Sequence, residues 1–131
     1  MSKPVREVEV TTTEECKGRV RALVDSGSYH TFIREDKVPA GALVVKMKSP
    51  KLFGQAELDT KLVAIGTIYL QIHIENHDID AHAFVSPKLT VDMIIGAGDM
   101  QRWDISVVND NGHTSLRIGH DLNDPDVQTV L

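Results

Sequence analysis

The chain has 131 residues, 41% of them apolar and 25% charged, with a net charge of -5 and one cysteine. That size suits one domain able to bury a core without covalent staples, and the composition argues against global disorder. The acidic balance disfavours nucleic acid as a partner, Cys16 alone leaves no internal disulfide or multi-cysteine zinc site, and no apolar run is long enough for a membrane helix.

In chain order, Val8 and Val10 alternate with Glu7 and Glu9 as a first strand, within an N-terminal strand or arm over residues 1–15. Nothing in MSKPVREVEV resembles a signal peptide, so a cytoplasmic location is expected. Arg19 to Val24 reads as the next strand and ends at Asp25-Ser26-Gly27. Ala42 to Met47 is another apolar run, closed by Ser49-Pro50. The stretch 48–63 reads as a hairpin or loop around an exposed Leu52-Phe53, and loops of that length are often functional. Lys37, Lys46, Lys48, Lys51 and Lys61 thicken this middle region and read as solvated surface.

The clearest alternation is Ile68, Leu70, Ile72 and Ile74, followed by Ile79, Ala81, Ala83 and Val85. With Glu75-Asn76-His77-Asp78 as the loop, Ile74 faces Ile79, Ile72 faces Ala81 and Leu70 faces Ala83. His73 then meets Asp80, and Gln71 meets His82, on the outer face. Val91 to Ile95 is a short buried strand, and a short helix follows over Gly98 to Trp103. Ile105–Val108 and Ser115–Ile118 form a closing hairpin around Asn109-Asp110-Asn111-Gly112. Residues 120–131 are a polar tail, either a loose extension or a terminal strand for a partner. The β-branched, aromatic-poor composition and the short apolar runs between turns make the chain mostly β, as a single domain over 1–131.

The chemistry concentrates at Ala22-Leu23-Val24-Asp25-Ser26-Gly27-Ser28. An acid directly after a buried apolar strand is an awkward place for charge, because burial without partners costs stability. By itself Asp-Ser-Gly is an ordinary turn. It gains weight from Met93-Ile94-Ile95-Gly96-Ala97-Gly98-Asp99-Met100-Gln101-Arg102-Trp103-Asp104-Ile105 further along. Together the two segments resemble the retropepsin-like aspartic proteases, in which two apolar residues run into Asp-Thr/Ser-Gly-Ala/Ser and a later apolar pair and Gly lead into a short helix. The second segment is similar to the variant ending Ile-Ile-Gly-Ala-Asp-Phe-Leu-x-x-Trp-x-Ile, without a gap over 94–105. Gly98 stands where that pattern has Asp, and Asp99 where it has an apolar residue.

The resemblance implies a single-lobed, all-β acid-protease barrel with one short C-terminal helix. It implies an aspartic endopeptidase acting as a homodimer on peptides, with no cofactor and no metal. Two carboxylates so close cannot both ionise, so one serves as acid and one as base on a water. A chain with one such motif must take its second Asp25 from a two-fold partner. Asp25 is then the catalytic acid/base, Ser26 locks the two loops across the axis, and Gly27 lets the backbone approach substrate. Ser28, Ile95 and Gly96 line the site, and Leu52, Phe53, Gly54, Gln55 and Ala56 belong to a flap.

Other readings are weaker. Ser26, Ser28 and His30 crowd one turn and cannot form an oriented serine triad. His73, His77 and His82 share one hairpin without diagnostic metal spacing and read as surface histidines. A catalytically inactive dimeric binding or assembly domain is the alternative to the protease, since fold does not fix function.

Overall fold

A computed structural model describes residues 3–55 and 58–125, with backbone alone for residues 55 and 58–61. Among these residues nine strands occur in the order β1 (Val5–Thr11), β2 (Lys17–Asp25), β3 (Phe32–Arg34), β4 (Val45–Gln55), β5 (Leu58–Ile74), β6 (His77–Ser86), β7 (Met93–Gly96), β8 (Ile105–Asp110) and β9 (His113–Ile118). One short helix, α1 (Ala97–Arg102), lies between β7 and β8, and a 3-10 turn (Glu35–Lys37) follows β3. The fold is all-β and single-lobed, as the sequence pattern implies.

Six strands close into a barrel in the order β1-β2-β7-β3-β6-β5, because β1 pairs with β2 along its length and with β5 at Glu9–His73 to Thr11–Gln71. Closure gives each of these strands a neighbour on both sides. Strand β4 stands outside the ring and, among the described residues, pairs only with β5. The interior is aliphatic: Val8, Val10, Ala22, Val24, Ile33, Leu70, Ile72, Ile79 and Ile95 are at most 2% exposed. Each buried Ile or Leu of this kind contributes about 1.5–3 kcal/mol relative to exposure.

The β5–β6 alternation holds, but its register differs from the expected one by two residues. Ile72 faces Ile79, Leu70 faces Ala81, His73 faces Asp78 and Gln71 faces Asp80. The turn is the pair Glu75-Asn76, with φ of 49° and 62°, so His77 and Asp78 belong to β6. Two successive positive φ values give the tight turn whose twist matches the flanking strands. A shift of two keeps every side chain on its expected face. The closing hairpin is tight in the same way, turning at Asn111 (φ 48°) and Gly112 (φ 82°).

Further along β6, Asp80 is not on open surface. It accepts from the Tyr69 hydroxyl at 2.7 Å and pairs ionically with Arg102 at 2.7 Å, while the Trp103 indole N–H donates to its carbonyl. The end of α1 covers it. The apolar run from Ala42 becomes strand at Val45, and 48–55 continues it as one arm of a hairpin with β5, the first of the two forms expected for 48–63. The start of the tail docks on β6: Leu122 N–H donates to the Asp78 carbonyl, and His77 pairs with Asp121 at 3.0 Å.

Candidate active site

Strand β2 delivers Asp25 to the barrel surface. Val20, Ala22 and Val24 point inward, and the chain turns at Ser26-Gly27. The Asp25 side chain is 14% exposed. Gly27 N–H donates to Asp25 Oδ1 at 2.9 Å, and a Cβ on Gly27 would lie 3.1 Å from that oxygen. Glycine therefore lets the amide reach the carboxylate. The second contact on Oδ1 is the Lys3 ammonium at 3.1 Å. Ser26 is exposed, and its hydroxyl makes no hydrogen bond among the described residues.

The turn is held from below by β7. Strands β2 and β7 run parallel, with Asp25 opposite Gly96. The loop over 28–30 crosses the entry to α1, where Ala97 N–H donates to Ser28 O and Gly98 N–H to Tyr29 O. These are helix-start amides that would otherwise lack acceptors. The crossing leaves no room at Gly96, where a Cβ would lie 2.3 Å from the His30 carbonyl oxygen.

The two departures from the family pattern have structural reasons. Gly98 lies under the Tyr29 ring, which a Cβ would approach to 3.1 Å. Asp99 accepts from the Thr31 hydroxyl, and that hydroxyl accepts in turn from Gly96 N–H at 3.1 Å. Thr31 is 2% exposed and thus ties the Asp25 loop to the start of α1. The only sequence sign of Asp99's role was its misfit to the pattern, and Thr31 carried none.

Beside this floor lies an aromatic cluster. His30 approaches Phe53 at 5.1 Å and Phe84 at 5.3 Å, and Phe32 meets Phe53 edge-on at 5.2 Å. Phe53 comes from β4, so the β4–β5 hairpin leans over the loop that follows Asp25. Leu62, Leu89 and Ile94 join the cluster.

Of the expected site residues, Asp25, Ser26, Gly27, Ser28 and Gly96 converge at the crossing. Ser28 Oγ donates to the His30 carbonyl, which makes it a brace of the loop. Ile95 is fully buried in the barrel interior; β7 alternation turns Ile94 toward the cluster instead. Phe53 faces the cluster, whereas Leu52 on the opposite strand face is 56% exposed, and a Cβ on Gly54 would meet nothing within 4 Å among the described residues. Ala56 lies outside the described residues, as does the Gln55 side chain. His73 pairs with Asp78 and His77 with Asp121, while His82 lies beside Tyr69, so the three histidines take separate neighbours. Among the described residues no helix is long and apolar enough to cross a membrane.

The closed barrel, the Asp-Ser-Gly turn and the Gly96 crossing together define a single-lobed retropepsin-like fold. A family model for the retroviral aspartyl protease matches residues 1–108, and the chain belongs to that family. Among solved structures it is similar to EIAV protease complexed with the inhibitor HBY-793, with a TM-score of 0.59 and 13% identity over 82% of this chain and 94% of the other. It is also similar to the retroviral protease-like domain of Ddi1 from Leishmania major, with a TM-score of 0.53 and 15% identity over 89% of this chain and 95% of the other. No curated protein sequence matches it.

Proposed function

We propose that this protein is an aspartic endopeptidase that works as a homodimer, with Asp25 of each subunit sharing one proton and activating a water between them. The carrying observation is a solvent-reaching carboxylate at the parallel β2–β7 crossing, with one backbone N–H on it and a single such motif in the chain. One carboxylate cannot be acid and base at once, and a two-fold axis supplies the second. The exposed Ser26 and Gly27 suit contact with the partner's copy of the same turn. The β4–β5 hairpin acts as a flap, and an extended peptide lies between it and the Asp25 loop as an added strand.

The test is digestion of an unbiased peptide mixture by the wild-type chain and by Asp25→Asn, read by mass spectrometry, with sedimentation to report the oligomer. Cuts made only by the wild type, and specific activity that falls on dilution, are the expected results. Cuts made equally by Asp25→Asn would end the proposal. One observation favours a second reading. Lys3 already pairs with Asp25, as a site given over to binding would tolerate. A dimer that holds peptides and never cuts them would establish that inactive module.

A further inference from the structure

We propose that the corner of the cleft formed by Lys51 and His30 selects a peptide bearing an Asp or Glu side chain at one fixed position. This rests on the reading of the cleft as a peptide site and names the kind of peptide it takes. From Lys37 to Ala56 the sequence carries four lysines and no Asp or Glu, within a protein of net charge -5. Elsewhere Arg6, Arg19, Arg34 and Arg102 each have a carboxylate within 3.3 Å. Lys46, Lys48 and Lys51 have none among the described residues.

Lys51 differs from an ordinary solvated lysine by where it points. Strand alternation puts it on the same face of β4 as Phe53. Its ammonium sits 5.1 Å from the Phe53 ring centre and 5.6 Å from that of Phe84. It is thus held on the inner side of the hairpin, over the aromatic cluster. The His30 ring lies against the same two phenyl rings, and its nitrogens make no hydrogen bond to any described residue. An ammonium and an imidazole therefore border the same pair of phenyl rings, and neither has a carboxylate partner among the described residues.

A carboxylate side chain satisfies both donors. Its methylene groups would lie on Phe53 and Phe84, and its oxygens would accept from Lys51 Nζ and a His30 ring N–H. Such charge-assisted bonds are stronger than neutral ones, and the rings keep bulk water from one side of them. An apolar side chain would leave the ammonium facing the rings alone. A basic one would meet like charge.

The test uses the full chain carrying Asp25→Asn, so that binding is read without turnover. It is exposed to a fully randomised peptide library, and the retained peptides are sequenced. Enrichment of Asp and Glu at one position by about fivefold is expected, the size a partly exposed ion pair provides. Adding Lys51→Glu should convert it to enrichment of Lys and Arg, and Lys51→Arg should keep it. Lys51 is an exposed strand residue, so thermal melts of these variants should match that of the parent. A retained pool that is uniform, or one that Lys51→Glu leaves unchanged, overturns the proposal. Digestion of the same library by the wild type separates the two ideas. Acid-enriched retention without cutting sinks the protease and keeps this inference. Cutting without acidic preference does the reverse, and neither retention nor cutting sinks both.

Discussion

Strand β5 lives in two environments. Its second half, from Gly66 to Ile74, is flanked by β6 throughout and by β1 near its end, and Ile68, Leu70, Ile72 and Ile74 are at most 4% exposed. Its first half is flanked only by β4, whose pairing shifts register between Lys46 and Lys51 and again at Gly54–Gln55. There Leu52 of β4, opposite Val63, is 56% exposed. One continuous strand is therefore barrel wall at one end and hairpin arm at the other. The boundary lies at Gly66, where a Cβ would meet Val44 Cγ1 at 2.6 Å and the Val45 carbonyl at 2.7 Å. The contrast is one of packing within a single strand, and local opening is expected first where few buried contacts hold it.

The sharpest way to probe this is to cut side chains on each side of the boundary. Ile72→Ala should cost about 4 kcal/mol in urea unfolding, because it empties a filled interior. Leu52→Ala on the hairpin should stay within about 0.5 kcal/mol. Equal losses would erase the distinction between wall and arm. Gly96→Ala tests the floor under the hairpin and should cost about 3 kcal/mol, since the new methyl runs into backbone that cannot retreat. Thr31→Val keeps the shape, strands the Gly96 amide and removes the donor to Asp99. It should cost about 2 kcal/mol in the same assay.

The smallest expected effect concerns pH at the β5–β6 turn. The hydrogen bond from the His73 imidazole, helped by Asn123, holds the Asp78 carboxyl below its ordinary range. A carboxyl lowered by folding stabilises the fold above its unfolded value near pH 4, and that support is lost as pH falls through the lowered folded value. Acid unfolding of Asp78→Asn should therefore show a shallower decline below about pH 4 than the wild type. Identical curves would show that the pin contributes nothing.

Much of this was legible in the residues. The Ile68–Ile74 alternation, the Asn111-Gly112 turn and the two motif segments lead to the strands, the helix and the crossing. The β5–β6 register was not legible, because Glu75 gives no hint that it takes positive φ ahead of Asn76. The burial of Asp80 was hidden for a different reason: Tyr69 reaches it from β5 and Arg102 and Trp103 from the end of α1, and only the closed barrel assembles them. The Thr31–Asp99 tie joins residues far apart in the chain, beyond any local periodicity. Lys51 reads as surface and is exposed, but charge along a sequence does not reveal that it shares a strand face with Phe53.

The barrel seam also governs time. The β5–β6 and β8–β9 hairpins turn within two residues and can form in microseconds. The β1–β5 and β2–β7 pairings join distant parts of the chain, and long-range sheet contacts of that kind place folding in the range of milliseconds to seconds. The Asp25 crossing depends on the β2–β7 pairing, so the carboxylate reaches its floor only as the ring closes. A nascent or partly folded chain thus carries the motif without the crossing, which arrives together with the long-range contacts.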